Sequence, residues 1–212
     1  NRLQHEAIFS DVQFDPFVRN RLWALTWPLF VSTDGGATWT SRGGAAGFGP
    51  EQLMLPAPGE VLVAYRGLIH RSTDSGRSWH RVYVPRVRDA SSSWRLQEDP
   101  RNPRAIYGPG LRSPNAGRDW YSWQEYDAIG FDPFRPRNVP IARGDTLYIS
   151  RDDGASFQVV GHFGLGEFSL VHELLFDRGR PNAVYPVTTQ DGLLRSRDGG
   201  ATWEPLNEGL PP

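Results

Sequence analysis

Three carboxylates lie on short segments from which a catalytic site could be built. Asp11, Asp127 and Glu173 each fall on a segment that we predict to be the innermost strand of a small sheet. Two carboxyl groups held about 5–10 Å apart across a glycosidic bond can cleave it by acid–base or nucleophilic chemistry. Spacing along the chain does not bring these three together, so glycoside hydrolysis is one alternative and we assign no catalytic residue.

Other chemistries lack the residue patterns that they require. The chain has no cysteine, which excludes disulfides, thiolate catalysis and Cys-ligated zinc. The segment HELLF begins at His172 like a zinc-protease helix, but Phe176 stands where the second histidine ligand belongs. The sequence contains neither a phosphate-binding glycine loop nor a nucleophile elbow. We therefore predict no metal site and no cofactor.

Composition and charge exclude several function classes. The 212 residues include 38% hydrophobic and 22% charged side chains, as expected for a globular chain rather than a disordered one. The net charge is −1, from 23 basic and 24 acidic residues, and the arginines do not cluster, so we predict no nucleic-acid partner. No apolar run is long enough for a transmembrane helix, and we predict no transmembrane segment.

One turn motif recurs five times along the chain. Its acidic or Asn positions follow one another at intervals of 40, 41, 37 and 46 residues, and four-stranded propeller blades have such a period. The first three copies place Ser, Asp or Asn, Gly and Trp at Ser32, Asp34, Gly36 and Trp39; at Ser72, Asp74, Gly76 and Trp79; and at Ser113, Asn115, Gly117 and Trp120. The last two are Ser150, Asp152, Gly154 and Phe157, then Ser196, Asp198, Gly200 and Trp203.

The chemistry of this turn predicts a structural role. Asp34 can accept hydrogen bonds from the backbone N–H groups that follow it, and Gly36 can adopt a positive φ. Trp39 would bury its indole in the sheet, so we expect each copy to be a self-contained staple for its own blade. A calcium loop is the rival interpretation, but the alternate oxygen ligands and the distal glutamate of such a loop are missing.

The motif Ser-x-Asp-x-Gly-x-Thr-Trp resembles the Asp box, or bacterial neuraminidase repeat (BNR), of the sialidase, sortilin and xyloglucanase superfamily. The resemblance implies an all-β fold, a five-bladed β-propeller with an Asp box in the third-to-fourth strand turn of each blade. We expect one domain over residues 1–212, with approximate blades 1–46, 47–85, 86–126, 127–164 and 165–212. A fragment of a six- or seven-bladed propeller is the alternative.

The resemblance does not carry a catalytic residue over to this chain. Sialidases use an arginine triad, a Tyr–Glu pair and an Asp, and no position here matches those motifs. We therefore expect a non-catalytic binding or assembly module for a glycan or protein partner. The alternatives are a sialidase-like glycoside hydrolase and a subunit of a larger, membrane-associated complex. The resemblance and the first residue, Asn1 rather than Met, favour a secreted or periplasmic location.

The predicted partner surface is the face opposite the Asp boxes. Its second-to-third strand turns carry aromatic, basic and polar side chains that suit stacking on sugars or anchoring a protein. These candidate binding residues are Trp27, Tyr65, Arg66, Tyr107, Arg143, Gln190 and Asp191. The interblade loops over residues 41–51, 86–93 and 161–167 would complete the same face.

Overall fold

The protein is all-β over the residues that the structure describes. The computed structural model describes residues 11–26, 28–43, 52–65, 68–82 and 95–209, and within these ranges every regular element is a strand. No described segment forms a helix that is long and apolar enough to cross a bilayer. The chain divides into two compact units, Asn1–Gln124 and Glu125–Pro212, called unit 1 and unit 2 below.

Unit 1 contains three four-stranded antiparallel sheets, each built from strands that follow one another in the chain. Sheet 1 comprises β1 (Asp11–Phe14), β2 (Leu22–Leu25), β3 (Phe30–Ser32) and β4 (Thr40–Ser41). Sheet 2 comprises β5 (Gln52–Ala57), β6 (Glu60–Tyr65), β7 (Leu68–Ser72) and β8 (His80–Val82). Sheet 3 comprises β9 (Gln97–Asp99), β10 (Asn102–Gly108), β11 (Leu111–Ser113) and β12 (Tyr121–Ser122).

Unit 2 repeats this meander. Sheet 4 comprises β13 (Ala128–Ile129), β14 (Val139–Arg143), β15 (Thr146–Ser150) and β16 (Gln158–His162). Two strand pairs follow, β17 (Val171–Phe176) with β18 (Val184–Thr188) and β19 (Leu194–Arg195) with β20 (Glu204–Pro205). Isolated bridges Val184↔Ser196 and Val187↔Leu193 connect the two pairs in the same antiparallel order.

The short apolar runs of the sequence form the central strands. The segments 22–26 and 29–32 contain β2 and β3, which are each one residue shorter. Leu22 pairs with Ser32 and Ala24 with Phe30, so β3 leads from its pairing with β2 into the first turn motif. Successive side chains of β2 are buried from Trp23 to Leu25, so both of its faces are shielded from solvent, which explains why its sequence lacks a polar–apolar alternation.

The hydrophobic cores lie between consecutive sheets. In unit 1, Trp23 and Leu25 of sheet 1 pack with Leu53 and Val63 of sheet 2. Sheets 2 and 3 share a second core, and the strands of unit 2 share a third. Burial of such side chains contributes about 25 cal/mol per Å² of apolar surface. Within each unit, consecutive sheets are therefore stabilised by apolar surface that they bury against one another.

Two of the turn aromatics, Trp79 and Trp120, belong to the cores that consecutive sheets share, so at these two positions the turn is not a self-contained staple. Trp79 packs against the core between sheets 1 and 2, and its indole Nε1 donates to the backbone oxygen of Arg42 at 3.0 Å. Trp120 of sheet 3 lies in one cluster with Leu62 of sheet 2. The aromatic ring reaches the preceding sheet because it emerges from the outer edge of its own.

Candidate binding surface

The polar part of each turn motif is a closed hydrogen-bond network. In the first copy, the Ser32 hydroxyl donates to Asp34 Oδ1 at 2.7 Å and accepts the Gly36 N–H at 2.8 Å. The Thr38 N–H donates to Asp34 Oδ1 at 2.9 Å and the Thr38 hydroxyl to Asp34 Oδ2 at 2.5 Å. The motifs around Asp74, Asp152 and Asp198 repeat these contacts.

These hydrogen bonds stabilise the charged form of the aspartates. Donation from Thr38, then from Ser32, lowers the pKa of Asp34 from 3.8 to about 2. The corresponding donors lower the pKa of Asp74, Asp152 and Asp198 in the same way. Both oxygens of each carboxylate are occupied within the turn, and the described residues contain no cluster of three metal-ligating side chains.

Each turn contains two successive residues in the left-handed region. The predicted glycine is one of them, with φ +95 at Gly36 and +102 at Gly200. The residue before it also has a positive φ, and this position carries Ser75, Ala116 or Asp153 in three of the copies. The sequence did not predict the positive φ at this second position, because residues other than glycine occupy it in three copies. The hydrogen-bond network around the aspartate holds the backbone of this residue in the left-handed region.

Of the binding residues predicted in unit 1, the structure describes the side chain of Tyr107 alone. Trp27 and Arg66 lie outside the described residues, and Tyr65 ends β6 with only its backbone described. Tyr107 is 2% exposed, because its ring packs against Trp123 at a centroid distance of 4.9 Å and beneath Arg112. The turn that follows β10 begins at Pro109, beyond Tyr107. Tyr107 is therefore a packing residue and is not available to a ligand.

In unit 2, three connecting segments meet at the end of sheet 4 away from its Asp box. They are the 143–146 turn between β14 and β15, the 163–170 loop after β16 and the 189–192 turn after β18. We call this surface the loop face. It carries three of the predicted binding residues, Arg143, Gln190 and Asp191.

Hydrogen bonds hold the three segments of the loop face together. The N–H of Leu165 donates to Asp145 Oδ1 at 2.7 Å, and the N–H of Gly166 donates to Asp191 Oδ2 at 3.0 Å. The N–H of Thr189 donates to the backbone oxygen of Leu170 at 2.9 Å, and the N–H of Leu170 donates to the Thr189 hydroxyl at 3.0 Å. The carboxylates of Asp145 and Asp191 thus position the loop, and their capacity to accept bonds from a ligand is reduced.

The most exposed large apolar side chain described in the structure lies at the tip of this loop. Phe168 is 81% exposed, and its backbone has φ +66. It occupies the third position of the Gly166–Ser169 turn, which the Ser169 N–H closes by donating to the Gly166 oxygen at 3.2 Å. Turns with positive φ at this position favour Gly or Asn. The fold therefore presents a bulky ring to solvent in a strained backbone conformation.

The three candidate catalytic carboxylates have different environments. Asp11 accepts a 2.7 Å bond from the side-chain amide of Gln13 in unit 1. In unit 2, Asp127 precedes β13 and accepts the Gly144 N–H at 2.6 Å, whereas Glu173 is exposed on β17. Asp127 thus supports the 143–146 turn.

Comparisons with known proteins support the repeat and the fold. The BNR/Asp-box repeat model matches residues 30–41. An ancestral GH74 enzyme superposes with a TM-score of 0.66 at 16% identity, over 96% of this chain and 31% of that enzyme. The GH74 enzyme of Niastella koreensis gives 0.62 at 25% identity, over 93% and 31%. A comparison with characterised protein sequences found no match.

A structure of YCF48 bound to D1 peptide gives a TM-score of 0.60 at 19% identity, over 95% of this chain and 68% of that one. This chain thus spans about a third of the length of the two GH74 enzymes and about two thirds of YCF48. The chain thus contains a BNR/Asp-box repeat at residues 30–41, and its succession of small antiparallel sheets is similar to the β-propeller folds of these proteins.

Proposed function

We propose that this chain is a non-catalytic binding module that anchors a protein partner on its loop face through Phe168. The single observation that carries this proposal is the 81% exposed ring held at φ +66. Residues with a strained backbone are concentrated at functional sites, so an exposed aromatic residue with such a backbone indicates a function beyond folding. Aromatic anchors supply much of the binding energy of protein interfaces. Leu170, 44% exposed, extends the apolar surface beside it.

A protein partner fits this surface better than a sugar. Sugar recognition combines an aromatic platform with carboxylates or amides that bind hydroxyl groups. On the loop face, Asp145 and Asp191 already accept backbone N–H groups of the loop. The remaining apolar pair, Phe168 and Leu170, matches an apolar cleft on a partner. The fold likeness to YCF48, whose structure holds a D1 peptide, is consistent with this class of ligand.

The proposed architecture is a five-bladed propeller. It takes β17–β20 as the fifth blade, since bridges connect the two strand pairs. In each blade the Asp box then joins the third strand to the fourth. A sixth or seventh blade outside these 212 residues is the competing arrangement. The secreted or periplasmic location stays a prediction.

Peptides selected against the purified chain from a random display library test the proposed function. We expect selected peptides to bind Phe168→Gly at least about 10-fold more weakly than the wild type, because an aromatic anchor contributes about 2 kcal/mol or more. Phe134→Ala is the matched control, since Phe134 is a 43% exposed aromatic in another turn of unit 2. Equal peptide affinity for wild type and Phe168→Gly would exclude the anchor.

Hydrolase activity is the second candidate, favoured by the fold likeness to two GH74 enzymes. A panel of fluorogenic glycosides and soluble plant β-glucans separates the two functions. We expect no turnover above the rate of a heat-denatured sample. Turnover that Glu173→Gln or Asp127→Asn abolishes would show that the chain is an enzyme.

A further inference from the structure

Unit 1 contains a pocket of about 310 Å³ that the proposed function does not use. The first strands of its three sheets, β1, β5 and β9, contribute the lining. Apolar residues contribute to the lining, among them Phe14, Leu53, Met54, Leu55 and Leu96, and polar atoms make up the larger share of the exposed wall. The pocket thus lies on the strands where three consecutive sheets approach one another.

Two glutamines hold these strands in place. The Gln13 side chain donates from Nε2 to the backbone oxygen of Leu53 at 3.1 Å, which ties β1 to β5. Gln52 forms a reciprocal pair with the residue before β9, donating to the Leu96 oxygen at 2.6 Å and accepting the Leu96 N–H at 2.7 Å. The amide groups are therefore engaged in the framework, and the pocket is preorganised.

Glu98 is the one carboxylate among the described residues that line the pocket. It is half-buried, and no hydrogen bond or ion pair joins it to another described residue. Burial raises the pKa of Glu98, because the charged form loses solvation without gaining a partner.

The other buried carboxylates of unit 1 are paired with arginine. Glu60 binds Arg71 and Arg118, each at 2.8 Å. Asp99, the neighbour of Glu98, forms a two-point contact of 2.8 Å with Arg101. Glu98 differs from these two carboxylates, because no arginine among the described residues forms an ion pair with it.

We propose that this pocket binds the guanidinium group of an arginine side chain from a peptide, with Glu98 as its ion-pair partner. The three-carbon stem of arginine would lie against the apolar wall formed by Met54 and Leu55. Phe14, 77% exposed at the pocket, offers a ring face to the planar cation. A guanidinium suits the site better than an ammonium, because it is more weakly hydrated and can contact both carboxylate oxygens at once.

Titration of the full chain with three short peptides, followed by NMR chemical shifts, tests this assignment. The probes are N-acetyl-Ala-Arg-Ala-amide, the same peptide with citrulline, which keeps the shape and loses the charge, and the same peptide with lysine. We expect the citrulline and lysine peptides to bind at least about 10-fold and about 3-fold more weakly than the arginine peptide. Equal binding of citrulline would overturn the site, and equal binding of lysine would overturn the guanidinium assignment.

Variants of the protein provide the second arm. Glu98→Gln should weaken the arginine peptide at least about 10-fold, and Phe14→Ala about 3-fold, whereas Glu125→Gln, an exposed carboxamide control, should leave binding unchanged. Glu98→Gln should keep the thermal midpoint of the wild type, since no described contact is lost. Unchanged binding in Glu98→Gln would overturn the proposal. If that variant does not fold, the relative affinities of the arginine and citrulline peptides for the wild-type protein test the proposed ion pair.

Discussion

The side-chain amide of Asn115 donates from Nδ2 to Asp119 Oδ2 at 2.7 Å, which reverses the polarity found in the other Asp boxes. In the first box, the Thr38 hydroxyl donates and the Asp34 carboxylate accepts. Here the carboxylate has moved to the position of the hydroxyl, and the amide has replaced the carboxylate. Two linked differences from the repeat thus preserve one hydrogen bond, which explains how the third box closes without its aspartate.

This reversal predicts a strong coupling between the two positions. Asn115→Asp alone should destabilise unit 1 by about 1–2 kcal/mol, because the hydrogen bond to Asp119 is lost and the new carboxylate lies next to that of Asp119. The double variant Asn115→Asp with Asp119→Thr should recover most of that loss by restoring the common polarity. Urea denaturation of the wild type, both single variants and the double variant gives the coupling energy. Additive effects would contradict the pairing.

The lowered pKa of the box aspartates predicts acid sensitivity. The pKa of Asp34 is about 2 in the folded chain against an ordinary 3.8, so its stabilising effect is complete above about pH 4 and is lost as the pH falls towards 2. Asp34→Asn should show a weaker dependence of the urea midpoint on pH in this window. Curves of identical slope for the two proteins would argue against the shift.

The shared cores predict that a box aromatic stabilises two sheets at once. Trp120 is 7% exposed in the core between sheets 2 and 3. Trp120→Ala should lower the free energy of unfolding by about 3–5 kcal/mol. Its neighbour Tyr121, 57% exposed, should cost less than about 1 kcal/mol on the same substitution. Urea denaturation followed by tryptophan fluorescence and circular dichroism measures the free energy of unfolding of both variants. Similar losses at the two positions would conflict with this packing.

Both the backbone conformation at residue 117 and the packing around it require glycine. Its φ is +75, and a Cβ atom there would lie 2.5 Å from Leu62 Cδ1. Gly117→Ala should therefore cost about 2–4 kcal/mol from left-handed strain and overpacking together. Gly144 is the matched control, since its φ is +56 with no atom within 4 Å of the added Cβ, and it should cost only about 1 kcal/mol. Equal denaturation midpoints for the two alanine variants would disprove the packing demand.

The strained turn at Phe168 predicts a gain of stability on truncation. Phe168→Gly should leave stability unchanged or raise it by up to about 1 kcal/mol, since glycine tolerates φ +66. Phe168→Ala removes the same ring but keeps the strain, so it should be less stable than the glycine variant by about 1 kcal/mol. Thermal melts of the three proteins measure the strain. A glycine variant less stable than the alanine variant would show that the turn is not strained.

Much of the local structure was predictable from the residues alone. The recurrence of Ser, Asp, Gly and Trp predicted the turns and the small antiparallel sheets, because the hydrogen bonds of the motif close over at most four residues. The positive φ at Gly36 followed from the same argument. Gln190 and Asp191 lie in the turn after β18, whereas Arg143 is the last residue of β14 and pairs with Thr146. Whether they bind a partner stays a prediction.

The sequence by itself determined the repeat, the strands and the closed polar turns, because all of these depend on contacts between residues near in the chain. Only the tertiary structure decided that Trp79 would pack on the preceding sheet, that Tyr107 would be buried and that Glu98 would have no arginine partner among the described residues. Only it showed Phe168 held outward at a positive φ. These features depend on which sheet faces which, and that is set by contacts about 40 residues apart in the chain, which a local pattern does not encode.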